Sequence, residues 1–129
     1  MPEYDAARFV PPAPVAAITI THPATGRRQL DVPMLIDTGA DVTILPLRPV
    51  RELGVDFLAD TYALEGFDGT PSAAPAVRAS VRFLGRTFTG QFLVLEQPVG
   101  ILGRNVLNHV RLLLDGPDLR WAEDNIVTE

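Results

Sequence analysis

The residues best suited to chemistry lie at positions 35–41, which read Leu-Ile-Asp-Thr-Gly-Ala-Asp. Asp37 follows an apolar run, and a carboxylate at the end of a buried strand costs desolvation free energy unless it is hydrogen-bonded or paired. Gly39 has no Cβ, so backbone amides can approach that carboxylate closely. Asp37 could therefore act as a general acid or base. In the simpler alternative, it only bonds its own backbone in an Asx-type turn.

The composition excludes several other kinds of chemistry. The chain has no cysteine, which excludes disulfides, thiol catalysis and the common zinc sites. Two histidines, His22 and His109, are too few for a histidine-based metal centre, and the absence of lysine excludes Schiff-base and Walker-type chemistry. We expect no metal and no cofactor. The net charge of −5 disfavours nucleic acid as a partner.

The length of 129 residues is typical of one domain. We expect a flexible, proline-rich N-terminal arm at 1–14, a folded domain at 15–122 and an acidic C-terminal tail at 123–129. No apolar run approaches the roughly 20 residues that span a bilayer, and the first dozen residues do not resemble a secretory signal. These features favour a cytoplasmic protein with no membrane partner.

The elements that must position Asp37 are mostly strands. Apolar and β-branched runs separated by glycine and proline turns predict an all-β fold with one or two short helices. The predicted strands are 15–21, 28–32, an apolar strand from Met34 into Asp37, 42–45, 62–65, 76–83, 87–95, 99–103 and a hairpin of 111–115 with 119–122. The predicted helical turns are 49–53 and 104–110.

Three segments together resemble the retropepsins, the single-domain aspartic proteases of retroviral type. They are 35–41, a glycine-bearing hairpin at 66–69 and the segment 101–107, which reads Ile-Leu-Gly-Arg-Asn-Val-Leu. The resemblance covers about 15–115 and implies a closed retropepsin-type β-barrel with a flap hairpin. It also implies an aspartic endopeptidase acting on peptide or protein substrates.

The implied mechanism needs two carboxylates that share a proton, one to activate water and one to protonate the scissile carbonyl. The chain has a single Asp-Thr-Gly, so the resemblance implies a homodimer with Asp37 from each subunit on a two-fold axis. It implies a catalytic set of Asp37, Thr38 and Gly39. Thr38 would lie buried beneath the carboxylate pair, with its hydroxyl on the partner's backbone, and Gly39 would offer a main-chain donor.

The resemblance assigns further roles around the pair. Asp41 and Arg104 would form an internal ion pair that braces the site, and Asn105 would continue this brace. The hairpin tip would close over an extended peptide as an added strand. The expected substrate-binding residues are Ala40, Asp41, Val42, Gly66, Phe67, Asp68, Gly69, Val99 and Ile101.

Two alternatives stay open on the sequence. One is a catalytically silent module that keeps the fold and binds peptides or dimerises without cleaving. The other is a structural β-barrel interaction domain in which Asp37 is only a turn residue, so that Asp37→Asn would change stability but no activity. The proline-rich arm and the C-terminal hairpin depart from the retroviral pattern, which leaves the dimer interface open.

Overall fold

The computed structural model describes residues 1–65, 69 and 71–125, and within them the chain forms nine β-strands and two short helices. The elements in chain order are β1 Val15–Thr21, β2 Arg28–Ile36, β3 Ile44–Pro46, α1 Leu47–Leu53, β4 Phe57–Glu65, β5 Pro71–Phe83, β6 Arg86–Leu95, β7 Gly100–Leu102, α2 Arg104–Leu107, β8 Leu112–Asp115 and β9 Arg120–Glu123.

Six strands close into a barrel in the order β1-β2-β7-β3-β6-β5, with β5 returning to pair with β1. Most neighbours are antiparallel, but β2 runs parallel to β7 and β3 runs parallel to β6. The strand β4 pairs only with β5 and extends the hairpin beyond the barrel. The predicted all-β fold, closed barrel and short helices are confirmed.

The core lies inside the barrel because alternate residues of each strand point inward. Ile18 and Ile20 of β1 are buried, as are Val32, Met34 and Ile36 of β2. A shift of one residue in register would move such a set to solvent, so the alternation fixes the strand pairing. Further buried side chains come from α1, β5, β6 and β7, among them Val50, Leu53, Val77, Val81, Val94 and Leu102.

Gly100 lets β7 pass between its neighbours at close range. A Cβ at this position would meet the sulfur of Met34, the carbonyl oxygen of Ile44 at 2.6 Å and the ring of Pro46 at 2.8 Å. Real Cβ atoms do not approach backbone this closely, so only glycine fits. This close crossing brings the end of β7 beside the end of β2.

Several element boundaries differ from those predicted. We predicted separate strands at 28–32 and from Met34, but the two join into one strand, β2. Pro33 does not interrupt this strand, because it pairs with Ala17 of β1 and lies before the residues of β2 that pair with β7. Val42 lies outside β3, which begins at Ile44. The helix predicted at 104–110 is shorter, ending at Leu107, and the helix predicted at 49–53 begins earlier, at Leu47.

Residues 1–14 are hydrogen-bonded to the rest of the chain, although we expected a flexible arm. Tyr4 N donates to the carbonyl of Leu119 at 2.7 Å, and Trp121 N donates to the carbonyl of Pro2 at 3.0 Å. At the other end of the arm, Ile36 N donates to the carbonyl of Pro14 at 3.0 Å. The arm therefore links the β8–β9 hairpin to the end of β2. Of the predicted tail, 126–129 lie outside the described residues.

Candidate active site

Asp37 occupies the turn that follows β2. Its backbone N–H donates to the carbonyl of Leu102 at 3.1 Å, which ties the turn to the end of β7. Its carboxylate Oδ1 accepts a hydrogen bond from Gly39 N at 2.9 Å, and its carbonyl accepts one from Ala40 N at 3.2 Å. The Asx-type turn is therefore present. It leaves Oδ2 without a hydrogen-bond donor among the described residues and leaves the side chain half-buried.

A buried threonine holds the strands beneath this turn. Thr43 is 1% exposed, and its hydroxyl donates to Asn105 Oδ1 at 2.7 Å while accepting from Gly103 N at 3.0 Å. These bonds join the residue before β3 to the start of α2. The hydroxyl both donates and accepts here, so an apolar side chain at position 43 could not make these two hydrogen bonds. Asn105 therefore has a bracing role, although its partner is Thr43, a residue that our sequence analysis did not single out.

The ion pair expected between Asp41 and Arg104 is not formed among the described residues. Arg104 instead donates from Nη1 to the carbonyl oxygen of Thr38 at 2.8 Å, and its backbone N–H donates to the carbonyl of Ala40 at 2.8 Å. A guanidinium group is a donor of fixed geometry, and here it points at the turn's backbone and not at the exposed Asp41 carboxylate. Arg104 still braces the Asp37 turn, through the carbonyl of Thr38.

The predicted site residues meet at a cleft of about 430 Å³. Two sides of the cleft come from the Asp37 turn and from β7, and a third comes from β4 and β5, which supply Leu64 and Ser72. The predicted residues on its lining are Asp37, Gly39, Ala40, Asp41, Val42 and Ile101. Those that sequence reasoning missed are Ile44, Leu64, Ser72, Leu95 and Gln97.

The strand pairing of the predicted hairpin could have identified two of the missed residues. Leu64 and Ser72 are opposite each other in the β4–β5 ladder and flank the predicted hairpin tip on both sides. Gly66, Phe67, Asp68 and Thr70 lie outside the described residues, while Gly69 has a positive φ of 77°. The flap role of this hairpin therefore stays a prediction.

Two predicted residues occupy positions other than those expected. Val99 is 9% exposed and packs as a core residue, away from the cleft lining. Thr38 is exposed in the single chain, so its expected burial requires a second copy. The described residues contain no group of three or more His, Asp or Glu side chains that could hold a metal ion.

A larger cavity, of about 740 Å³, lies elsewhere, between the start of β2 and α1. Its walls carry acidic and basic side chains together, including Asp31, Arg48 and Glu52, and several prolines. It contains none of the residues of the Asp37 turn. The smaller cleft is the candidate site because its lining includes Asp37 and the turn that holds this carboxylate, beside apolar side chains.

Comparisons with known proteins agree with this geometry. Residues 27–109 match the family described as "gag-polyprotein putative aspartyl protease". Among solved structures, EIAV protease complexed with the inhibitor HBY-793 is similar, with a TM-score of 0.57 and 24% sequence identity over 75% of this chain and 86% of that chain. A search of curated proteins gives no match.

The matched segment begins just before β2 and ends just after α2, so it contains the Asp37 turn, the β4–β5 hairpin and the Arg104 brace. The similarity to EIAV protease is a similarity of fold that covers 75% of this chain. Both observations agree with the resemblance seen in the sequence, and they place this chain among the retropepsin-like aspartic proteases, within the gag-polyprotein aspartyl protease family.

Proposed function

We propose that this protein is an aspartic endopeptidase whose active form is a homodimer, with one Asp37 carboxylate from each copy. The observation that carries the proposal is the Asp37 carboxylate itself, which is held by Gly39 N at 2.9 Å on the lining of a cleft large enough for a peptide segment. A turn residue with only a structural role would not need this position.

The chemistry requires two carboxylates with one proton between them. The ionised carboxylate takes a proton from a water molecule, whose oxygen attacks the scissile carbonyl carbon, while the protonated carboxylate donates to the carbonyl oxygen. Collapse of the tetrahedral intermediate breaks the C–N bond, and the amine leaves with a proton from the pair. The two Asp37 carboxylates would be equivalent by symmetry, so neither role belongs to one copy until substrate breaks that symmetry.

The second carboxylate has to come from a second copy, because the chain has one Asp-Thr-Gly. A two-fold axis beside Asp37 would place the two turns face to face, as an isologous interface requires. The exposed Thr38 fits such an arrangement, since it lies on the same turn and would be covered by the partner.

The lining of the cleft suggests the class of substrate. Val42, Ile44, Leu64, Leu95 and Ile101 present apolar surface beside Asp37. An extended peptide would gain affinity from main-chain hydrogen bonds and from alternate side chains in these apolar subsites. We therefore expect cleavage between apolar residues, with the β4–β5 hairpin acting as a flap over the bound peptide.

The test is cleavage of a diverse peptide library by the wild-type protein and by Asp37→Asn. The variant keeps a side-chain oxygen for the Gly39 N–H, so the turn should fold while the acid–base pair is lost. We expect cleavage by the wild type alone. Peptide binding without cleavage by the wild type would overturn the proposal in favour of the silent binding module, and equal cleavage by both proteins would exclude Asp37 as the catalytic group.

A further inference from the structure

The outer surface of the barrel carries polar side chains in rows that run across several strands. Residues that pair across neighbouring strands point to the same side of a sheet. Thr21 of β1 pairs with Arg28 of β2 on one side and with Ser80 of β5 on the other, and Ser80 pairs in turn with Thr89 of β6. Ile20, the residue before Thr21, is fully buried, so this row of four side chains faces outward.

Two more outward rows lie beside the first. In one of them, Thr19 pairs with Arg82, and Arg82 pairs with Thr87. In the other, Arg78 pairs with Gln91. We call the three rows together the donor face, because every side chain in them has a hydrogen-bond donor and none is a carboxylate.

The donor face concentrates positive charge on an acidic protein. Its three arginines, Arg28, Arg78 and Arg82, are exposed and make no ion pair among the described residues. Neither Asp31 of β2 nor Asp60 of β4 forms one with them. The chain has sixteen acidic residues and a net charge of −5, and an acidic residue opposite any of these arginines would stabilise the sheet. The arrangement therefore leaves three positive charges available to an anionic partner.

The hydroxyl groups between the arginines also have hydrogens to donate. Ser80 and Thr89 share one hydrogen bond of 2.8 Å, so the hydroxyl that accepts it keeps its own hydrogen for an outside acceptor. Arg82 Nη1 donates to Thr87 Oγ1 at 3.5 Å, which uses one of the five N–H groups of the guanidinium. The face therefore presents N–H and O–H groups together, and carboxylate oxygens accept from both.

The spacing of the arginines fits an extended peptide. Arg78 and Arg82 are four residues apart on β5, a distance of about 13 Å at the rise of a β-strand. In an extended peptide, side chains at i, i+2 and i+4 point to one side, and the outer two are also about 13 Å apart. Such a peptide along β5 would bring its outer carboxylates to these two arginines and its central one to Ser80. Arg28 shares the row of Ser80, two strands or about 10 Å away, and adds positive charge beside the central carboxylate.

We propose that the donor face is a docking surface for an extended acidic segment of a partner protein, with carboxylates at alternate residues. A short protein segment fits this face better than nucleic acid does, because the rest of the chain is acidic and would repel a long phosphate backbone. The donor face contains none of the residues that line the Asp37 cleft, so the proposal does not depend on the proposed function.

Binding of a labelled peptide, Thr-Glu-Thr-Glu-Thr-Glu-Thr, tests the proposal by fluorescence anisotropy at low salt. The triple variant Arg28→Gln, Arg78→Gln and Arg82→Gln removes the three charges and keeps polar side chains. We expect its Kd to be at least about tenfold weaker than that of the wild type. Binding by the wild type should also weaken as the salt concentration rises, because exposed charges are screened.

The matched control is the triple variant Arg48→Gln, Arg51→Gln and Arg111→Gln. It removes the same total charge from exposed positions off the donor face, so its Kd should change by less than about twofold. Circular dichroism and urea unfolding verify that both triple variants fold. Equal loss of binding in the two triple variants, or no binding of the peptide by the wild type at millimolar concentration, would overturn the proposal.

Three further probes test the chemistry of the partner. A peptide with glutamine in place of glutamate should not bind. A peptide with the same three glutamates in one contiguous block has the same charge but the wrong spacing, so we expect it to bind at least about threefold more weakly. Equal affinity for the two acidic peptides would refute the extended register. Tighter binding of an oligothymidylate than of the acidic peptide, lost in the donor-face variant, would overturn the proposal in favour of nucleic acid.

Discussion

Replacement of Thr43 by valine removes the buried hydroxyl that connects β3 to α2 while keeping the shape of the side chain. Two hydrogen bonds disappear, one to Asn105 Oδ1 at 2.7 Å and one from Gly103 N at 3.0 Å. Because Thr43 is 1% exposed, water cannot easily replace the lost partner of the Gly103 N–H. Leaving such a group unsatisfied costs about 1–3 kcal/mol.

The second lost hydrogen bond adds less, because its acceptor is on the exposed Asn105, where water can take the place of the hydroxyl. The expected loss for Thr43→Val is therefore about 2–3 kcal/mol in the free energy of unfolding. For a domain of this size the loss corresponds to a decrease in Tm of roughly 5–10 °C. Urea unfolding followed by circular dichroism measures it, at one fixed protein concentration because association contributes to apparent stability.

Two further variants make the test specific. Thr43→Ser keeps both hydrogen bonds and loses one methyl group, so it should cost only about 1 kcal/mol. Asn105→Ala should cost less in a Thr43→Val background than in the wild type, because the bond between these residues is already gone. A Thr43→Val protein as stable as the wild type, or a larger loss from Thr43→Ser, would refute the argument that the hydroxyl stabilises this junction.

Three shorter predictions concern the same region. Gly103→Ala should lower the free energy of unfolding by at least about 1–3 kcal/mol, because the added Cβ would lie 2.9 Å from the backbone N of Val42 and closer still to its C and O atoms. Gly90→Ala is the neutral control in the same urea assay, because nothing lies within 4 Å of a Cβ at Gly90. Arg104→Ala should cost only about 1 kcal/mol in unfolding free energy, since the exposed guanidinium bonds the Thr38 carbonyl and is not half of a buried ion pair; a loss above about 3 kcal/mol would indicate the buried pair instead. The rate of peptide cleavage should pass through a maximum at mildly acidic pH, because the two Asp37 carboxylates must hold one proton between them, and a rate that is flat across the carboxylate range would contradict this.

The sequence predicted the barrel well because its strands carry strong local signals. The alternation of apolar and polar residues along β5, and the β-branched run of β1, identify half-buried strands without tertiary information. The turn at Asp37 was predictable for a similar reason, since Asp-Thr-Gly between two apolar segments specifies both a carboxylate and a close backbone approach.

The parts that were not predictable depend on which atoms meet across the fold. Thr43 resembles one more β-branched strand residue, and only the fold, which places it beside Gly103 and Asn105, shows that its hydroxyl is needed. The partner of Arg104 could not be inferred from charge, because a guanidinium bonds a carbonyl as readily as a carboxylate when geometry favours it. The attachment of the arm depends on backbone hydrogen bonds, which no side-chain pattern encodes.

The most direct test of the central claim is cleavage by mixtures of wild-type protein and Asp37→Asn at constant total concentration, after free exchange of subunits. If each active site needs one Asp37 from each of two copies, the rate should follow the square of the wild-type fraction, so that an equal mixture retains about one quarter of the wild-type rate. A rate proportional to the wild-type fraction, with about one half retained, would show that one copy carries a complete site and would contradict the account.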